Sequence, residues 1–300
     1  MALHFTLQEL ESRKNKVIKS MKEKNLDALL LFRQESMYWL TGYDTFGYVF
    51  FQCLVLTSAG NKILLTRVPD LRQAQNTSNI KDIRIWIDKE SNNPANELKS
   101  ILVELNLENK NLGVEYEAYG LTGKNAMMLN KSLNDFAKLH DESFLVTKHR
   151  LVKSDQEIKY IKKAAELADK ALEKAWELSH PGADESDILS AMQGAIFSGG
   201  GDYPGNEFII GSGPDALLCR YFSGRRKLDP IDQLTLEFAG VYRHYHSALM
   251  RTIPIGKSKK EHLELHEICL EALGACENKL KIGNTVGDVF KQHRLVIDKT

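Results

Sequence analysis

From Gln233 to Val241 the chain reads Gln-Leu-Thr-Leu-Glu-Phe-Ala-Gly-Val, and from Tyr245 to Ile255 it reads Tyr-His-Ser-Ala-Leu-Met-Arg-Thr-Ile-Pro-Ile. Two apolar-patterned runs around a short polar break predict an antiparallel β-hairpin. In such a pair, opposed residues share a face and every second residue repeats it. The hairpin therefore decides which side chains of this stretch can act together. It carries a carboxylate (Glu237), two imidazoles (His244, His246), tyrosines including Tyr245, and the cations Arg243 and Arg251. Pairing Glu237 with Ala248 centres the turn on Tyr242-Arg243 and puts Glu237, Ala239, His244, His246 and Ala248 on one face. Tyr-Arg is a poor two-residue turn, and a bulge would flip one strand, so that register is an assumption.

The rest of the chain supplies scaffold. Three hundred residues, 43% of them apolar, suffice for two cores. Lys+Arg and Asp+Glu balance at 40 each, so charge points to neither nucleic acid nor a membrane surface. Cys53, Cys219, Cys269 and Cys276 show no C-x-x-C pairing and read as thiols in a reducing compartment. No apolar run approaches the roughly 18 residues of a membrane span, and the N-terminus lacks a cationic-then-apolar leader. These features predict a soluble cytoplasmic protein.

Helical spacing over Leu7–Lys24, a buried-strand run over Leu26–Phe32, a hairpin turn at Ser58–Asn61 and further alternating elements predict an α/β domain over residues 1–147. A second domain over 148–300 opens on a capping-box pattern, Ser154 with Glu157. Its long helix ends before Pro181-Gly182, a second follows Asp184, and Gly199-Gly-Gly201 breaks that one. The overall expectation is an α+β chain. The last helical pattern begins at Asn284–Asp288 and reaches Thr300 with no stop signal, which reads as a C-terminally shortened form.

The order of motifs resembles a known family. Arg150-x-x-Lys-Ser-x-x-Glu-Ile158, Pro181-Gly-x-x-Glu185, Gly211-Ser-Gly213 and a hairpin ending in Arg251-Thr252 are similar to the creatinase, prolidase and aminopeptidase P superfamily. The resemblance implies a creatinase-type α/β domain followed by a pita-bread domain, here incomplete at its C-terminus. Metal-dependent members carry aspartates at the positions of Glu237 and Ala248. Two divalent ions need several hard oxygen donors, often bridging carboxylates, and alanine offers none. The resemblance thus implies the metal-free branch, with no metal and no cofactor. Leu236–Thr252, Met37–Gln52 and Gly200-Gly-Asp-Tyr-Pro204 resemble the ectoine-hydrolysing group of that branch. Members open the cyclic amidine of ectoine to an acetyl-diaminobutyrate, so the implied partner is a small compatible solute.

Under that implication each residue has a role and a plainer alternative. Glu237 can attack the amidine carbon or draw a proton from water, or it can be a strand-end ion-pair partner of Arg251. His246 can protonate the departing nitrogen, or it can be a satisfied strand histidine. A substrate carboxylate calls for a guanidinium fork, for which Arg220, Arg225, Arg226 and Arg251 are candidates, with Arg220 and Arg251 preferred. Phe46 and Tyr48 lie in an aromatic loop that, in the family, reaches the active site of a neighbouring subunit, so a homodimer is implied. A metal-dependent Xaa-Pro peptidase and a non-catalytic binding module are the competing readings.

Overall fold

A strand as apolar as Ala-Leu-Leu-Leu must be covered on both sides, and the first part of the chain is built around that need. The computed structural model describes residues 3–90, 92–217 and 224–299 and divides the chain into two units, Met1–Gln156 and Glu157–Thr300. The first unit runs α1 (Leu7–Glu23), β1 (Ala28–Leu31), α2 (Gln34–Thr41), β2 (Cys53–Thr57), β3 (Lys62–Arg67), α3 (Val68–Thr77), β4 (Asp82–Trp86), α4 (Pro94–Glu104), β5 (Asn111–Val114), α5 (Gly123–Leu133), β6 (Lys138–Asp141) and α6 (Leu145–Arg150). Its six strands form one mixed sheet in the order β4-β3-β2-β1-β5-β6. Side chains alternate along β1, so Ala28 and Leu30 enter one core with Leu98, Ile101, Leu129 and Leu133 of α4 and α5. Leu29 and Leu31 enter another, with Val17, Met21, Leu40, Ala74, Leu145 and Val146. The sequence pattern divided the chain between 147 and 148, inside α6. The units part at 156 instead, because Leu145 and Val146 are buried in the first unit's core.

The second unit runs α7 (Asp155–Leu178), α8 (Glu185–Ser198), β7 (Ile209–Ser212), β8 (Asp232–Tyr242), β9 (Tyr245–Ile255), α9 (Lys260–Lys279) and α10 (Val286–Ile297). The expected start at Asn284–Asp288 is sharpened to a capping box between Thr285 and Asp288. Strands β7, β8 and β9 form an antiparallel sheet with β8 in the middle. One face packs Phe208, Ile210, Leu234, Leu236 and Phe238 against Leu167, Ala171, Ile188 and Met192 of α7 and α8. No helix among the described residues is long and apolar enough to cross a membrane. Cys53 is buried, Cys276 half-buried and Cys269 exposed, whereas Cys219 lies outside the described residues.

One polar group inside the first unit is charged with tying two elements together. Glu115 is buried and accepts from the Phe32 and Arg33 amides and from the Ser36 hydroxyl, at the start of α2. Burial pushes its carboxyl up to about 7, against the opposing pull of those donors. A proton held more tightly in the folded state stabilises that state fully below the ordinary value of 4.5, and the contribution is lost as pH rises through about 7. Denaturant unfolding of the first unit in the wild type and in Glu115→Gln, compared across this window, should therefore show the wild type losing stability relative to the variant. The relative change should be no more than about 3 kcal/mol. A difference that stays flat from pH 4.5 to 7 would contradict the assignment.

Candidate functional site

The turn of the hairpin sets the geometry of the whole face. Tyr242 pairs with Tyr245, so the two-residue turn is Arg243-His244, and both residues have positive φ, 49° and 66°. Positive φ at both centres is the signature of the type I′ turn, whose twist suits a tight hairpin. Neither residue is glycine, and left-handed backbone costs an ordinary residue about 1–2 kcal/mol. Anchors on both sides offset that cost. The Arg243 guanidinium donates to the Tyr160 hydroxyl and lies over the rings of Tyr160 and Tyr242. The His244 amide donates to Asp202 Oδ2 at 3.1 Å. Tyr160 of α7 also meets the rings of both Tyr242 and Tyr245, each with centroids 5.8 Å away. With the turn at Tyr242-Arg243, Tyr242 could not occupy its place on that face.

This register corrects the one assumed from sequence. Glu237 opposes Met250, and Ala248 opposes Ala239. A slip of two residues keeps the faces but changes the neighbours. Glu237, Ala239, Val241, His246, Ala248 and Met250 share the face turned away from α7, while His244 sits in the turn. His246 opposes Val241, about 13 Å along the strand from Glu237 at ~3.3 Å per residue. The register thus separates the expected acid from the expected nucleophile.

Two expected binding residues fall on the opposite face. Tyr245 donates its hydroxyl to the buried Glu157 of α7 at 2.8 Å. Arg251 opposes Leu236, donates to the Met250 carbonyl, and cannot be the ion-pair partner of Glu237 across the strand. Arg226 is committed to Ser212, Asp229 and Asp232, beside the buried Glu185 that the Arg225 and Arg226 amides cap. Arg220 lies outside the described residues. In the first unit, Phe46 is 84% exposed and meets Tyr48 edge-to-face at 5.8 Å.

Glu237 stands on a shallow trough of a face, bounded at its two ends and open along β9, where Ala248 and Met250 are exposed. Its floor is Glu237 and Ala239 on β8 with Ala248 and Met250 on β9. One end is walled by the segment after α8. The Asp202 amide donates to the Val241 carbonyl at 3.0 Å, alongside β8 beyond the start of β7. The Gly205 amide then donates to His246 Nε2 at 2.8 Å, and Ile209 returns to pair with Glu237. Residues 202–207 therefore arch over the Val241 end of the face. At the other end a 3-10 turn, Gly213–Leu217, folds over Gly211, where a methyl would stand 2.7 Å from the Asp215 carbonyl oxygen. Glu237 itself is half-buried, and no described side chain donates to its carboxylate. Glu157, Asp202 and Gly205 escaped the sequence reading as members of this assembly. Only the Gly-Gly-Asp run at 200–202 hinted at a tight backbone there.

The metal question can be put to the donor set. Among the described residues, no group of three or more His, Cys, Asp or Glu could hold a metal ion. Glu237 faces Met250, and Ala248 faces Ala239. One carboxylate on this face does not fit a two-ion site.

Comparison with known proteins identifies both units. Residues 13–152 match the model of the Creatinase/Prolidase N-terminal domain, and residues 159–300 match that of Metallopeptidase family M24. The ectoine hydrolase of Halomonas elongata is 27% identical over 320 residues, covering 100% of this chain and 79% of its own. The Xaa-Pro dipeptidase of Pyrococcus horikoshii is 26% identical, covering 96% of this chain and 77% of its own. The prolidase of Thermococcus sibiricus superposes with a TM-score of 0.84 at 24% identity, over 97% of this chain and 77% of that structure.

The turn assignment is testable in solution. His244→Gly keeps the amide that donates to Asp202 and relieves the left-handed backbone, so it should leave the second unit more stable than His244→Val does by about 1 kcal/mol or more. His244→Val should destabilise it by more than about 1 kcal/mol, because a β-branched residue resists that conformation. Urea denaturation midpoints decide this, and a glycine variant less stable than the valine one would contradict the turn.

Proposed function

This chain belongs to the creatinase, prolidase and aminopeptidase P superfamily, a family of pita-bread hydrolases, and on that premise we propose that it opens a cyclic amidine by hydrolysing a C–N bond, with ectoine or hydroxyectoine as substrate. The observation that supports this reading most is Glu237, a half-buried carboxylate with no described donor, standing in a trough floored by Ala239 and Ala248. An amidinium is cationic and planar. Glu237 attracts its charge, and the two alanines leave room for a small ring beside it. Glu237 then attacks the carbon between the two nitrogens, or takes a proton from a water that does so. The C–N bond to one nitrogen breaks, that nitrogen leaves with a proton, and water supplies the oxygen of the acetamide left on the other.

The remaining roles are assigned within the same proposal. Arg220 supplies the fork for the substrate carboxylate, since Arg226 is committed to carboxylates of its own unit and Arg251 faces away from the trough. The exposed Phe46 and the adjacent Tyr48 wall the ring of a neighbouring subunit's substrate in a homodimer. No step is routed through a metal ion, a reading supported by the single carboxylate on this face. A metal-dependent Xaa-Pro peptidase is the second reading, and the near-equal likeness to the Pyrococcus horikoshii dipeptidase is what favours it.

Incubation with ectoine and with an Xaa-Pro dipeptide, each with and without chelator, separates the two. Ectoine turnover should survive the chelator, and Glu237→Gln should lower kcat by about 10²–10⁴-fold. Undiminished kcat in that variant, or dipeptide cleavage that the chelator abolishes, would overturn the proposal.

A further inference from the structure

His246 stands too far along β9 to serve Glu237, yet its ring is not idle. A backbone N–H can only donate, so the Gly205 amide at 2.8 Å requires a bare lone pair on Nε2. A neutral imidazole has one proton, and it must then sit on Nδ1, where the His244 carbonyl oxygen lies 2.9 Å away to accept it. Both nitrogens are used, and the tautomer is set by its two backbone partners. The ring joins the turn of the hairpin to the arch over residues 202–207, across the end of the trough.

We propose that His246 is a positioning residue, a neutral latch whose Nε2 holds Gly205 so that the 202–207 arch walls the substrate trough beside Glu237. This rests on the reading of that trough as a cyclic-amidine site, and it changes what His246 does there. Asp202 holds the arch at its root, through its own amide on Val241 and its carboxylate on the His244 amide. Further along, Tyr203 rests on Phe197 with ring centroids 4.8 Å apart. Gly205 has no side chain with which to hold on, so the ring of His246 secures the stretch that crosses the sheet. With the latch broken, the wall recedes and a small ring is held less closely against Glu237. Binding should weaken more than chemistry slows.

Three measurements test this. In the unliganded protein, the nitrogen-15 NMR spectrum of the His246 ring at neutral pH should show the proton on Nδ1 and a bare Nε2. A proton on Nε2 would overturn the latch outright, whether or not the protein acts on ectoine. Second, His246→Gln keeps an acceptor near the Nε2 position, whereas His246→Asn and His246→Leu do not. Amide hydrogen exchange at Gly205 should stay near wild type in the Gln variant and quicken about tenfold in the other two, the scale of one lost hydrogen bond. Equal exchange in all three variants would contradict the proposal. Third, with ectoine, KM should rise about tenfold in the Asn and Leu variants with kcat within about threefold, and the Gln variant should remain close to wild type. A general acid at His246 would instead make all three lose about 10²-fold or more in kcat, and that result with unchanged exchange would overturn the latch. If no form turns over ectoine, the reading of the trough fails while the ring spectrum and the exchange still decide the latch.

Discussion

Strand β8 lies against α7 at a point where no side chain can intervene. A methyl group on Gly240 would be driven into the Ala164 carbonyl oxygen and the Ala168 amide nitrogen of the helix. Backbone meets backbone there, and the tolerance is well below the width of a methyl group. Two residues on, Tyr242 places its ring on Tyr160, and Tyr245 on β9 does the same from across the turn. These contacts fix both the height of the hairpin on the helix and the pair of residues that turns it. Every neighbour relation on the opposite face follows from that register.

That opposite face owes its character to the division of labour along the two strands. Leu234, Leu236 and Phe238 are directed at α7 and α8, and the buried Glu157 of α7 is matched by the Tyr245 hydroxyl. A buried carboxylate without such a partner would be costly. Residues directed away include Glu237, two alanines and a methionine. Glu237 is the one carboxylate that β8 and β9 place on this face, and two divalent ions need several hard oxygen donors. The arch over residues 202–207 and the 3-10 turn over Gly211 bound the trough at its two ends, and backbone groups do most of the bounding.

Much of this was legible in residue patterns. The two-sided burial of Leu26–Phe32, the helical periodicity after Ser154, and the two runs of the hairpin each carry a strong local signal, because burial and period act over a few residues. The helix Val68–Thr77 and the edge strand Lys138–Asp141 passed unread. The first opens with a proline and is largely polar, and the second is a short, mostly exposed edge with little alternation, so neither offers a periodic apolar face. The α6 segment was split by the expected boundary because its burial comes from α1 and the sheet rather than from its own short pattern. Glu237 stands out in the sequence as a carboxylate among apolar alternation, and the structure places it half-buried on the face turned away from α7. Tyr245 and Arg251 were grouped with it by proximity in sequence, which says nothing of face until the register is known.

By itself, the sequence determined that the chain forms two units of α+β type, that a hairpin carries its densest group of acids and bases, and that an alanine, Ala248, stands in the second strand of that hairpin. These are properties of residue identity and short-range period. Only the tertiary structure decided that the turn is Arg243-His244, that Met250 rather than Ala248 opposes Glu237, and that His246 is engaged by Gly205 well away from the carboxylate. Hairpin register is a choice between states that differ by one or two residues and have nearly the same local energy. It is settled by contacts with α7 and the 202–207 arch, which are distant in the chain and invisible to its local patterns.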